Sequence, residues 1–171
     1  SVVQRNPLRC ALYISFFPQL IAGPIVRYGE IRKYLESRKH SIFRFRSGIE
    51  LFVTGLFKKM ALANPMAKVA DHIYTLPDSQ INFFSAWLLV LAYALQIYFD
   101  FSGYSDMARG LARMFGFELP VNFRTPYKST SVQDFWRRWH ITLSRWFRDY
   151  LYVPLGGNRV GLVRNVLNLW I

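Results

Sequence analysis

"SQINFFSAWLLVLAYALQIYF", Ser79 to Phe99, lies between Asp78 and Asp100 and holds no charged side chain. Wound as an α-helix at ~1.5 Å per residue, a run of this length crosses the ~30 Å hydrocarbon core of a bilayer. Asp78 and Ser79 supply cap chemistry at its start. The stretch predicts a transmembrane helix over 79–99.

Composition points the same way. The 171 residues are 52% hydrophobic and 18% aromatic, with 22 Lys+Arg against 10 Asp+Glu. A soluble domain is ~45–50% apolar even with glycine counted. Hydrocarbon accepts the apolar excess while anionic headgroups attract the basic residues. A soluble nucleic-acid binder accounts for the charge but not for the apolar excess, and no nucleic-acid motif is present. The single cysteine, Cys10, excludes an internal disulfide. His40, His72 and His140 are too far apart for a local metal motif, so no metal is expected. The chain opens without an initiator methionine or a cleavable signal, and "NVLNLWI" stops inside an apolar run. An internal fragment of a longer membrane protein is expected.

N-terminal to the span, "CALYISFFPQLIAGPIV" (Cys10–Val26) is uncharged but carries Pro18, Gly23 and Pro24. Proline breaks the helix ladder, and in lipid each freed backbone group needs a partner. A broken or re-entrant membrane helix over 10–26 fits better than a straight span. "GIELFVTGLFKKMALANPMA" is a third apolar segment, 48–67, with Lys58 and Lys59 near its middle. It snorkels, lies in the interface, or lines a polar interior. From Arg27 to Arg46 there are seven basic residues against Glu30 and Glu36; from Lys68 to Asp78, one against two acids; from Asp100 to Asp149, eight against five. Positive-inside bias therefore puts the first and third regions in the cytoplasm and the middle one outside.

On the cytoplasmic side, "DFSGYSDMARGLARMFG" (Asp100–Gly116) follows the span. Gly103 permits a tight turn, Ser105 can cap an amphipathic helix over 106–115, and Gly116 is a natural stop. Asp100, Ser102, Tyr104 and Asp106 read either as part of a connecting surface segment or as a polar patch at a cavity mouth. "QDFWRRWHITLSRWFRDY" (Gln133–Tyr150) predicts a second cytoplasmic helix over 132–150, with a capping-box-like start at Ser131 and Asp134. At ~100° per residue Trp136, Trp139, His140, Leu143, Phe147 and Tyr150 share one face, and Arg137, Arg138, Arg145 and Arg148 the other. The arginine face suits lipid phosphates or an acidic, phosphorylated donor. His140 on the aromatic face is expected to be neutral, which suits a general base and equally a buried histidine joining two elements. His40 and His72 lie in polar flanks as surface histidines. "YVPLGGNR" (Tyr152–Arg159) reads as a turn without a phosphate-loop pattern, and a further membrane helix starts at 165–171.

Four blocks carry a resemblance: "FFPQLIAGPIVRY" (Phe16–Tyr28), "YALQIYFDFSGYSDMARGLARMFGF" (Tyr93–Phe117), "NFRTPY" (Asn122–Tyr127) and "FWRRWHITLSRWFRDYLYVPLGGNR" (Phe135–Arg159). Together they closely resemble the membrane-bound O-acyltransferases, in the bacterial branch that includes the alginate O-acetyltransferase membrane subunit and the teichoic acid D-alanyl transfer protein. The resemblance implies an all-α, polytopic integral protein of the bacterial inner membrane, its helices ringing a central tunnel, with residues 1–171 as part of the catalytic domain. It implies transfer of an acyl group, expected to be acetyl, from a cytoplasmic thioester to a hydroxyl of an extracytoplasmic polysaccharide such as alginate. The donor would be acetyl-CoA or a carrier-protein thioester, with no bound cofactor. The implied partners are the bilayer, the polysaccharide and relay acetyltransferase proteins, and no nucleic acid. His140 matches one family signature position and becomes the expected catalytic residue. Asp100, Ser102, Tyr104, Trp136 and Trp139 become tunnel or substrate-lining candidates, and Arg137, Arg138 and Arg145 contacts for donor or lipid phosphate. The family's main catalytic histidine lies in a later Trp-His-Gly-type motif beyond Ile171, so this segment is expected to be inactive alone. The alternative is a non-catalytic scaffold or transport subunit of a polysaccharide-modification complex.

Overall fold

The computed structural model describes residues 5–170, and every regular element among them is helical. They form two compact units, 5–23 with Arg27–Leu119, and Pro24–Val26 with 120–170.

In the first unit the apolar stretch belongs to a longer helix than its charge-free run predicts. Helix α5 is Phe83–Met114, 32 residues, or ~48 Å at 1.5 Å per residue. It begins at Asn82, not at Asp78–Ser79, which sit in a 3-10 turn, Asp78–Gln80. Asn82 Oδ1 accepts from the Ser85 amide at 3.0 Å and Ser85 Oγ accepts from the Asn82 amide at 2.9 Å. That reciprocal box satisfies two of the donors that a helix start leaves open. The separate helix expected over 106–115 is the last third of α5. Gly103 makes no turn, and Ser105 is a buried position inside the helix rather than a cap. The stop does fall where glycine permits it: Gly116 has φ +83° just past the end. Among the described residues α5 is the one helix long and apolar enough to cross a membrane, by length and composition.

Before it come α1 (Pro7–Ile14), capped by Asn6, and a 3-10 turn at Phe17–Gln19 around buried Pro18. Helix is thus interrupted within 10–26, as the prolines require. After α2 (Tyr28–Glu36), one long helical rod carries the third apolar segment: α3 (Ile42–Phe57), a π-helical stretch Lys58–Ala63, and α4 (Asn64–Tyr74). Pro65 explains the irregularity. A proline here has no amide for the Ala61 carbonyl, and its ring would clash with it. Widening the preceding turn shifts the ladder out of register.

Glycines set how α3 meets α5. A Cβ built on Gly55 would lie 2.5 Å from the Gly103 carbonyl oxygen, and one on Gly103 would lie 2.7 Å from the Gly55 oxygen. One on Gly110 would lie 2.6 Å from the Gly48 oxygen, and one on Gly48 2.8 Å from that of Gly110. The two pairs are seven residues apart on each helix, so they lie on one stripe of an antiparallel crossing. Small residues let backbones approach closely where lipid removes the hydrophobic drive for association. Ala63, Ala92, Ala108 and Ala112 are buried, as are Ser102 and Ser105. Large side chains face outward instead: Phe83, Phe84, Trp87, Leu88 and Leu91 of α5 are each more than half exposed.

Beside the Gly55–Gly103 pair the two mid-helix lysines find partners on α5. Lys58 Nζ donates to Asp106 Oδ2 at 2.6 Å, and Lys59 donates to Asp100. Arg109 shares Asp106 at 3.1 Å. Both lysines thus turn toward α5, Lys58 into a partly buried pair and Lys59 into a more open one.

In the second unit, the single helix expected over 132–150 is broken. The structure has α6 (Val132–Arg138), a break at Trp139–His140, α7 (Ile141–Phe147) and a π-helical turn Arg148–Tyr152. Ser131 caps α6 as expected, its Oγ accepting from the Asp134 amide at 3.1 Å. Gly156 and Gly157 turn the chain at positive φ, and α8 (Leu162–Trp170) follows. The helix expected over 165–171 thus starts three residues earlier, and Ile171 lies outside the described residues.

Replacing Gly103 or Gly110 by valine forces backbone against backbone, where nothing can yield. Each is expected to destabilise the full-length protein by about 2–3 kcal/mol or more, by the cost of overpacking. Gly29→Ala has nothing within 4 Å of the new Cβ and is expected to be neutral or stabilising by up to ~1 kcal/mol. Thermal unfolding in detergent compares them; equal midpoints for all three would dismiss the seam.

Candidate active site at a broken helix

The break around His140 is made by exchanging hydrogen-bond partners. In a continuous helix the Arg138 carbonyl would accept from the Thr142 amide, and the Ile141 amide would donate to Arg137. Here the Arg138 carbonyl accepts from the Arg124 amide at 2.9 Å, and the Ile141 amide donates to the Asn122 carbonyl at 2.9 Å. The Thr142 amide and hydroxyl both donate to Asn122 Oδ1, at 3.3 and 3.0 Å. Thr142 Oγ1 in turn accepts from the Ile25 amide at 3.0 Å. Residues 122–124 thus act as a strap across the break, with the Asn122 side chain 1% exposed.

Held this way, His140 sits at φ 40° and ψ 54° and is the N-cap of α7. A left-handed backbone at a residue other than glycine costs of order 1–3 kcal/mol and persists only where neighbours impose it. Its Nδ1 accepts from the Leu143 amide at 3.4 Å. While Nδ1 accepts, the proton of a neutral ring rides on Nε2. Burial pushes the imidazole below its ordinary value, and a hydrogen bond with its own backbone opposes this in part. The Phe123 ring lies 6.4 Å from it.

The other candidates divide between the units. In the second, Trp139 caps the end of α6, stacked on Phe135 at 5.6 Å and edge-on to Phe123 at 5.0 Å. Trp136 is half exposed, and its carbonyl accepts from Ser144 Oγ at 3.2 Å. Arg138 pairs with Asp134 at 2.8 Å, while Arg137 and Arg145 are exposed. Because the helix breaks after Arg138, the common aromatic face predicted over Trp136–Tyr150 is not one face. In the first unit Asp100 is paired with Lys59, Tyr104 Oη donates to the Leu20 carbonyl at 3.2 Å, and Ser102 is 2% exposed with no partner for its hydroxyl among the described residues. Among the described residues no group of three or more His, Cys, Asp and Glu could hold a metal ion. The residue that sequence reasoning passed over is Asn122. Its only signal was a place in "NFRTPY", a polar side chain in a segment without regular periodicity.

Among the described residues the chain thus carries one helix long and apolar enough to cross a membrane, with large side chains outward, and a histidine pinned in a left-handed backbone. The chain belongs to the membrane-bound O-acyltransferase family, whose model matches residues 4–170. It is 47% identical over 167 residues to the "Probable alginate O-acetylase AlgI" of Pseudomonas fluorescens, covering 98% of this chain and 33% of the relative. It is 50% identical over 153 residues to the "Peptidoglycan O-acetyltransferase" of Helicobacter pylori, covering 88% and 29%. It is 33% identical over 158 residues to the "Teichoic acid D-alanyltransferase" of Bacillus subtilis, covering 88% and 39%. The chain spans about a third of the length of these relatives.

A folded-state pKa below the unfolded value means that the unfolded chain binds the proton first as pH falls. His140 therefore favours the folded state fully above pH ~6.5 and progressively less below it. The ring resonances in the full-length protein should titrate below that midpoint, and a midpoint at or above it would contradict the burial. Asn122→Ala leaves both Thr142 donors short of an acceptor and should cost about 1–3 kcal/mol of stability, read by thermal unfolding.

Proposed function

We propose that the full-length protein is an O-acyltransferase that moves an acetyl group from a cytoplasmic thioester to a hydroxyl of an extracytoplasmic polysaccharide, alginate or a similar polymer. The donor is acetyl-CoA or a carrier-protein thioester, and the protein sits as a multi-pass protein in the bacterial inner membrane beside relay acetyltransferase proteins. Family membership supports the chemistry, and the names of the relatives support a polysaccharide or cell-wall acceptor. In the reaction the thioester C–S bond breaks, an ester C–O bond forms, and the hydroxyl proton ends on the departing thiol.

The observation that carries a role for His140 is its enforced left-handed backbone beside the Asn122 strap. With Nδ1 accepting from the Leu143 amide, the proton of a neutral ring is carried on Nε2. That favours orienting the acceptor hydroxyl or the acyl oxygen over abstracting a proton. A second histidine, which the family resemblance implies, would then serve as the base. The exposed arginines Arg137 and Arg145 offer charge for donor or lipid phosphate, and Trp136 and Trp139, in the same unit as His140, are the candidates for lining a substrate path.

In membrane vesicles holding the full-length protein, His140→Ala is expected to lower acetyl transfer about 10²-fold, the scale of losing one aligned polar group. Insertion and fold should be unchanged. His140→Gln keeps a donor and should retain more activity than alanine. Near-normal transfer by His140→Ala would make the residue a core histidine only. No transfer by the wild type would favour the scaffold reading.

A further inference from the structure

Away from His140, the first unit holds a cavity of about 320 Å³ where the C-terminal end of α5 meets the start of α3. That is at the lower end of the size range of small-ligand pockets. Two guanidinium groups stand in a partly apolar wall. Arg44 and Arg113 line it with His40, Ser41, Ile42, Phe45 and Met114. The His40 ring lies against Gly116, where an added Cβ would come within 3.3 Å of the imidazole. Gly116 thus leaves room for the ring as well as ending α5. One counter-charge is present: Glu118 takes Arg113 Nε and Nη2 in a fork at 2.9–3.2 Å. Arg44 has no carboxylate partner in the described geometry. Its Nη1 donates to the Lys39 carbonyl at 3.3 Å in an exposed bond at the edge of the cavity. The positive end of the α3 dipole meets the negative end of the α5 dipole here, so the two helix ends largely offset and the side chains set the field.

The rim of the cavity differs from that of an ordinary anion site. Ile42 is 84% exposed and Phe43 77%, next to Ser41 and Arg44 in sequence and on the first turn of α3. Large apolar side chains beside a basic pocket match an amphiphile with an anionic head and hydrocarbon tails. Both segments, Arg27–Arg46 and the end of α5, lie in the basic regions that positive-inside bias assigns to the cytoplasmic side, where anionic lipids give the surface its negative potential.

We propose that this cavity is a binding site for the phosphate of an anionic phospholipid, with Arg44, His40 and Arg113 around the headgroup and Ile42 and Phe43 in its acyl chains. The site rests on membrane residence and is independent of the acyl-transfer reading.

The test uses the full-length protein in detergent, titrated with phosphatidylglycerol or phosphatidylcholine, with bound lipid counted by native mass spectrometry. Phosphatidylglycerol should bind in preference. Arg44→Gln should weaken it about fivefold, the equivalent of ~1 kcal/mol per basic residue at an anionic surface. Arg44→Lys should retain most of the affinity, and Phe43→Ser should weaken it without changing charge. The control is Arg46→Gln, two residues away, exposed and paired with Glu50, which should bind like wild type. Equal loss in Arg46→Gln and Arg44→Gln would reduce the effect to diffuse surface charge and overturn the site. Displacement of the lipid by millimolar inorganic phosphate, with Phe43→Ser unaffected, would overturn the lipid assignment in favour of a soluble phosphate ligand. If Arg44→Gln fails to fold, His40→Gln and Arg44→Lys carry the same comparison.

Discussion

Two glycine pairs, Gly48 with Gly110 and Gly55 with Gly103, let the backbones of α3 and α5 touch. The first unit depends on this approach. Many large apolar side chains of α3 and α5 point outward, so less hydrophobic gain is available between these two helices. Close backbone contact supplies dispersion along the whole crossing, and it also brings the two lysines of the rod within reach of α5. Without the approach at Gly103, Lys58 and Lys59 would be left as ammonium groups in an apolar segment.

The lysine–aspartate pairs work in the other direction. Lys58, Asp106 and Arg109 are largely withdrawn from solvent, and taking such charges out of water is costly unless geometry and further hydrogen bonds compensate, while Lys59 and Asp100 stay more open. Asp106 is held by both Lys58 and Arg109, and Asp100 by Lys59. These pairs therefore contribute more to fixing the register of α3 on α5 than to net stability. A one-turn slip would break both and leave Lys58, Lys59 and Asp100 without these partners, while Asp106 would keep Arg109 on its own helix. The π-helical stretch starting at Lys58 lies at this point, where Pro65 has already disturbed the ladder.

The second unit shows the same economy at its histidine. A strained backbone at His140 is tolerated because residues 122–124 accept and donate the hydrogen bonds that the broken helix gives up. The Arg138 carbonyl and the Ile141 and Thr142 amides all find partners in the strap, and the histidine gains a fixed orientation with one nitrogen committed to the Leu143 amide. A histidine within a continuous helix would be free to rotate over its surface; one at a pinned cap is not.

The sequence by itself determined that the chain is helical and apolar enough for a bilayer, because hydrophobicity, proline and capping act over a few residues and can be read locally. It located the long apolar span, the interruption near Pro18, the Ser131 cap and the stop at Gly116. Other features depended on partners distant in sequence. Gly103 reads as a turn until Gly55 is opposite it, and then its missing side chain serves contact rather than bending. The run Gln133–Tyr150 reads as one helix because its periodicity is sound, but Asn122 and Arg124 take over the hydrogen bonds at its middle. Local pattern fixes what a segment prefers; only the tertiary structure decides whether a distant backbone group offers a better partner, and at His140 it does.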